Sequence, residues 1–295
     1  MIKKLQNVFP TLIFYSEAND IRLENYDWFI TKDDDVFGIS NKELTKKDQT
    51  LLATLLQPYY PNLPLQTKVE NVWINEINGV QQETALQINN PFRFVYFSIT
   101  ENQINPVDFR EAINELFAKE VPILWENENE GILIEGTDDS TDTISYEHII
   151  NLLMSDLYVN INFYVGPFRQ DLTDVKQYFH SILDSAKLMT TLTNKSVMTY
   201  IEAIPFLLMN EMNPDFRTQI AHSVLQEFLH DEETLKMIAT FFECNLNISE
   251  TAKKLYMHRN SLQYRLDRFH EKTTIDIRQF NQAMTVYLAL RAKDK

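Results

Sequence analysis

Between positions 253 and 268 the chain gathers Lys253, Lys254, His258, Arg259, Asn260, Ser261, Gln263, Tyr264, Arg265 and Arg268. Their chemistry is non-covalent. Arginine can hydrogen-bond two acceptors of a guanine edge at once, asparagine and glutamine match adenine, and lysine, serine, tyrosine and further arginines hold phosphate oxygens. The spacing matters as much as the types. Leu262, Leu266 and Phe269 recur at i, i+4 and i+7, the stripe of a helix packed inward. On the opposite side Arg259, Asn260, Gln263 and Tyr264 fall in the first two turns, with Arg268 further along. Arg259 is expected to contact guanine, Gln263 adenine, and Asn260 either a base or the backbone. Tyr264, Arg265, Arg268, Lys253 and Lys254 are expected to clamp phosphates, and His258 and Ser261 complete the set.

Two helices must present these side chains. Asn247, with Glu250 three residues on, has the form of a capping box that opens a short helix through Leu255. Ala252 is small, as a helix crossing a neighbour closely requires. A second helix is predicted over 258–269, where Met257 and Leu262 can form a hydrophobic staple that fixes its angle of approach. At 1.5 Å per residue this helix is roughly 18 Å long, enough to enter a major groove end-on. Tyr256 stands where a turn glycine is common, so the turn must hold a strained or an altered geometry.

Charge supports the same end of the chain. The whole carries −15, which by itself opposes phosphate binding. Residues 236–295, however, hold 11 basic and 6 acidic side chains, a net of +5, leaving −20 on the rest. A basic module on an acidic body points to nucleic acid at the basic end.

The other reactive residues offer catalysis no foothold. Glu227 and His230 have the Glu-x-x-His spacing of di-metal bundles, but such sites need two of these units and two further glutamates. The blander reading is that His230 ends one helix and Asp231, Glu232 and Glu233 open the next. His148, His180, His222 and His270 make no metal spacing, and Cys244, the one cysteine, excludes an intrachain disulfide. No cofactor motif, signal peptide or membrane span is read, and the expected location is the cytoplasm.

The fold class expected is an α+β N-terminal and middle region followed by an all-α C-terminal region containing the helix-turn-helix. Residues 1–88 form an α/β region of unknown role, with a hairpin over 26–32 and 36–40 joined by Asp33-Asp34-Asp35. A helix follows over 46–57, with Leu51, Leu52, Leu55 and Leu56 on one face. Residues 89–195 alternate as βαββαβα: strand 92–99, helix 108–119, hairpin 121–126 and 131–135, helix 145–157, strand 160–166, helix 172–188. Strand signals then stop. Helices are predicted over 197–209, 214–229 and 231–242, so that 196–234 is a helical connector and 235–295 the DNA-binding domain.

The stretch 235–290 resembles the C-terminal helix-turn-helix of the PucR/CdaR family of bacterial regulators. The resemblance is carried by Asn247, Ala252, Leu255, His258-Arg259-Asn260-Ser261-Leu262, Tyr264-Arg265-Leu266 and the closing Tyr287-Leu288-Ala289-Leu290. The middle region resembles the degenerate GGDEF-like domain often found upstream in that family, at Tyr164-Val165-Gly166 and the helix 172–188. If it descends from nucleotide cyclases, its signature loop should fall in Trp125–Gly131. That stretch has no adjacent glycine pair, and Glu126, Glu128 and Glu130 alternate as in a solvated turn. The implied function is a non-enzymatic transcriptional regulator of double-stranded DNA, open to an unidentified small-molecule effector. A homodimer is expected, because one short recognition helix covers few base pairs. The alternative is a sensor or scaffold whose C-terminal helices bind a protein.

Overall fold

In the computed structural model, residues 2–18, 21–31, 35–80, 90–137 and 145–293 are described. The chain divides into two compact units, Met1–Asp184 with Lys195–Val197, and Ser185–Asn194 with Met198–Lys295. Sheets occupy the first and the helix-turn-helix the second, the α+β-then-all-α order expected.

The first unit opens with α1 (Ile2–Gln6) and a small antiparallel sheet of β1 (Ile13–Phe14), β2 (Tyr26–Ile30), β3 (Val36–Ser40) and β4 (Gln57–Tyr59), in the order β1-β3-β2-β4. The β2–β3 hairpin forms as expected. Asp33 and Asp34 of its loop lie outside the described residues, while Asp35 accepts from the Thr31 backbone at 3.0 Å. Gly38 is required here, since a Cβ at that position would stand 2.9 Å from the Trp28 ring.

Helix α2 (Lys46–Leu55) is shorter than expected, because Gln57 begins β4 and turns the chain into an edge strand. Of its leucines, only Leu52 and the capping Leu56 are buried, while Leu51 and Leu55 are 56% and 68% exposed. The apolar face is thus a single narrow ridge. Helix α3 (Lys68–Asn78) was not expected at all. Thr67 and Glu70 close a capping box at its start, and Gly79, at φ 69°, ends it in the left-handed conformation.

The second sheet follows the βαββαβα order. β5 (Phe92–Ile99) is central and antiparallel to both β7 (Glu130–Gly136) and β8 (Ile161–Val165), with β6 (Ile123–Asn127) outside β7 and β9 (Val197–Thr199) outside β8. Both faces of β5 are covered, which is why apolar side chains fill it except at Arg93 and Ser98, its two half-buried positions. Val95, Phe97 and Ile99 pack with Phe109 and Ile113 of α4 (Pro106–Phe117) and Ile149 and Leu153 of α5 (Tyr146–Leu157). On the other face Phe94 stacks on Tyr178 of α6 (Val175–Leu192) at 4.9 Å and meets Trp73 of α3 at 5.8 Å.

Glu70 ties these layers together from 1% exposure. Its carboxylate accepts from the Thr67 backbone at 2.8 Å, the Ile123 backbone at 2.9 Å and the Arg110 guanidinium at 2.9 Å.

Two expectations about the second sheet need correction. The Glu126, Glu128, Glu130 stretch is not a solvated turn, since Glu126 and Glu130 are strand residues and only positions 128 and 129 turn. Gly131 pairs with Trp125 across the hairpin, and a Cβ there would stand 2.7 Å from the Leu124 carbonyl and 2.9 Å from the Phe97 ring. That glycine serves packing. Strand formation also does not stop at Ser196, because Val197–Thr199 is β9 and the helix expected from 197 begins only at Tyr200.

The second unit is a helical bundle of α7 (Tyr200–Glu211), α8 (Pro214–Leu225), α9 (Glu232–Glu243), α10 (Ile248–Lys254), α11 (Arg259–Thr273) and α12 (Phe280–Lys293). The helix expected over 214–229 ends at Leu225 and passes into a 3-10 turn, Gln226–Phe228. Leu225, Ile238, Phe241, Leu262, Leu266, Phe269, Val286 and Ala289 form the core, with the Phe228 and Phe269 rings 5.0 Å apart. Cys244 caps the end of α9 and is buried, its thiol free. Among the described residues, no helix is long and apolar enough to cross a membrane, and no three His, Cys, Asp or Glu side chains converge as a metal site.

Candidate nucleic-acid interface

Local chemistry fixes the α10–turn–α11 unit residue by residue. The Asn247 side chain accepts from the Ser249 and Glu250 backbones at 3.0 and 3.2 Å, closing the start of α10. The reciprocal half of the capping box is not needed, because the Asn247 N–H is already bonded to the Cys244 carbonyl at 3.0 Å. Ala252 and Thr251 face the core.

At its far end α10 closes in a Schellman motif. The Met257 N–H donates to the Ala252 carbonyl at 2.9 Å, and the Tyr256 N–H donates to the Lys253 carbonyl at 3.2 Å. Tyr256 takes the left-handed position between them, at φ 53°.

His258 caps α11 in extended conformation. Leu262 after it is buried in the core of the unit and Met257 before it packs against that same core, as the expected staple requires. Leu262, Leu266, Phe269 and Thr273 line the buried face, and α11 continues four residues past Phe269, to Thr273.

The open face then separates the candidate residues. Lys253, Lys254, His258, Arg259, Asn260, Ser261, Tyr264 and Arg268 are exposed, and Tyr264 is 70% so. Gln263 and Arg265 are half-buried on the flanks of the helix. Arg265 turns toward the start of α9 and pairs with Glu233. Lys254 pairs with Glu243 at 2.8 Å, a contact that raises its ammonium above the ordinary range. Among the described residues no ion pair engages Lys253, Arg259 or Arg268. The Asp231 carboxyl, which caps α9, is lowered by its hydrogen bonds from Thr234, with Arg268 and Arg265 adding to the effect.

The charge of the open face is uneven along α11. Its first two turns carry Arg259, Asn260 and Tyr264 with no acid, while its later turns mix Asp267 and Glu271 with Arg268 and Lys272. Asp267 is matched by Arg278 at 2.7 Å. An anion is therefore favoured most near the N-terminal end, where the first-turn backbone N–H groups and the helix dipole add to the attraction.

Tyr256, which the sequence marks as an aromatic at a turn position that favours glycine, is 98% exposed.

Residues 234–292 match the family profile described as the PucR C-terminal helix-turn-helix domain, a span that contains α10, α11 and nearly all of α9 and α12. Over 97% of its own length and 97% of the other's, the chain is 28% identical to the uncharacterized protein YxkF of Bacillus subtilis. It is 28% identical to the purine catabolism regulatory protein of the same organism, over 66% of this chain and 39% of that one. To the carbohydrate diacid regulator of Escherichia coli it is 35% identical over 20% of this chain and 16% of that one.

Proposed function

We propose, from a chain whose residues 234–292 match a PucR-type helix-turn-helix domain, that the protein is a sequence-specific, DNA-binding transcriptional regulator of the cytoplasm. The observation that carries the reading is the coincidence of that match with the α10–α11 unit, whose open N-terminal turns are polar and cationic. The regulator names borne by the purine catabolism and carbohydrate diacid relatives agree with it. In this reading α11 enters the major groove with Arg259 and Gln263 toward the bases and Asn260 able to reach either bases or backbone. Lys253, Lys254, His258, Ser261, Tyr264, Arg265 and Arg268 hold phosphates. Arg265 and Lys254 exchange their carboxylate partners for phosphate on docking.

The working form is a homodimer that sets two such helices in successive major grooves about 34 Å apart. The region 89–195 is a degenerate GGDEF-like domain without catalysis, serving assembly or response to a small-molecule effector. Its βαββαβα order supports this assignment.

The test is selection of bound genomic fragments by the wild-type protein beside the double variant Arg259→Ala, Gln263→Ala. A motif recovered by wild type alone supports the reading. No enrichment by wild type, with or without added metabolites, would favour a scaffold that binds protein through the same helices.

The individual roles have separable signatures. Arg259→Ala is expected to weaken the selected site by about 1–3 kcal/mol and relax preference at one base. Lys254→Ala should weaken all sequences alike and reduce the salt slope by about one ion. Anisotropy titrations on matched and scrambled duplexes at several salt concentrations read both, and equal losses on every sequence from both variants would overturn the division of roles.

A further inference from the structure

Tyr256 is a residue the fold does not use. It holds φ 53°, where an L side chain crowds its own backbone and glycine does not. Its ring is 98% exposed, so it buries no surface in return for that strain. The bonds of the turn are made by backbone atoms, Tyr256 N–H to Lys253 and Met257 N–H to Ala252, and a glycine would make them equally well. Tyr158, at φ 56° and 82% exposed, ends α5 in the same conformation, so strain by itself marks no site, and what sets Tyr256 apart is the charge around it.

The surroundings say what kind of group the side chain meets. Positions 253–259 read Lys-Lys-Leu-Tyr-Met-His-Arg, so the phenol sits between two lysines and a histidine-arginine pair, all four of them exposed. Arg259 lies three positions on, a reach of at most about 11 Å between their Cα atoms. A polar aromatic among cations, beside a helix N-terminus, suits the sugar-phosphate backbone: the ring lies on a deoxyribose and the hydroxyl donates to a phosphodiester oxygen.

We infer that Tyr256 is a DNA-backbone contact, held at the strained apex of the turn so that its phenol O–H donates to a phosphate flanking the base pairs read by α11. The assignment rests on the DNA-binding reading above. Being neutral, the contact adds affinity for every sequence without steepening the salt dependence.

The experiment compares wild type, Tyr256→Gly and Tyr256→Phe in two measurements: the thermal midpoint of the helical unit by circular dichroism, and anisotropy with a selected and a scrambled duplex. Tyr256→Gly is expected to raise the midpoint by roughly 3–6 °C while weakening both duplexes about 5- to 20-fold. Tyr256→Phe should keep the midpoint and lose about 3- to 10-fold from the hydroxyl alone, with the salt slope unchanged. Opposite signs for stability and affinity cannot come from misfolding.

Wild-type affinity in Tyr256→Gly would overturn the inference and leave the function standing. So would a lowered midpoint, which would make the ring structural, or a loss confined to one duplex, which would make it a base reader. Unchanged affinity in Tyr256→Phe would remove the hydroxyl from the contact. If wild type itself bound neither duplex, the functional reading would fail first.

Discussion

Glu70→Ala is expected to destabilise the first unit by about 3–5 kcal/mol. The carboxylate is 1% exposed and satisfies three separate donors: the Thr67 N–H at the start of α3, the Ile123 N–H of β6, and Arg110 of α4. Truncation leaves two backbone N–H groups without their acceptor. It also leaves a guanidinium, whose side chain is 15% exposed, without its counter-charge. Glu70→Gln keeps an acceptor but not the charge, and an intermediate loss is expected. Urea unfolding followed by tryptophan fluorescence reads the effect in the right place, because Trp28, Trp73 and Trp125 all lie in this unit. A loss below about 1 kcal/mol would mean that Glu70 is not the tie between α3, α4 and β6.

In the helical unit the corresponding prediction is Phe269→Ala, with a loss of about 3–5 kcal/mol. The ring is fully buried, 5.0 Å from Phe228, between α11 and the turn that follows α8. No small rearrangement fills that space, since Leu262, Leu266 and Val286 around it are also fully or nearly fully buried. The unit contains no tryptophan, so the loss should appear in far-UV circular dichroism rather than in the tryptophan signal. DNA affinity should fall with the unfolded fraction and recover on cooling toward the temperature of maximum stability. A variant that stays fully folded yet cannot bind would instead give Phe269 a role in recognition, which its burial does not allow.

What could be read in the sequence depended on how local its cause is. The start of each helix and the turn of the helix-turn-helix were legible nearly to the residue, though not the end of α11 four residues past Phe269, because their signals are short-range: the Asn247 cap, the apolar Met257 and Leu262 about the second cap, and the stripe through Phe269. Helix α3 was missed because its buried face is Glu70, Trp73 and Ile77, so the residue that anchors it breaks the apolar pattern. The Thr67-x-x-Glu70 capping box was the available signal. β9 was read as helix because Val197-Met198-Thr199 runs into an apolar helix without a gap. Thr199 and Glu202, which form a capping box there, marked the true start. The exposure of Leu51 and Leu55 could not be read from spacing, because a four-leucine cluster fits a wide face as well as a narrow one. Among the candidate contacts, residue type was legible and pairing was not. That Glu233 holds Arg265 and Glu243 holds Lys254 depends on carboxylates 32 and 11 residues away.

The lone thiol gives this architecture a built-in chemical clock. Cys244 is the chain's only cysteine, and it closes α9 three residues before the Asn247 cap of α10. Buried, it can react with an added disulfide reagent only while the helical unit is open around it, so the labelling rate counts those openings under native conditions. A duplex that binds only the closed unit must slow that reaction in proportion to its occupancy. The breathing of one domain, and its arrest by DNA, can therefore be timed in the intact chain with no residue introduced and none removed.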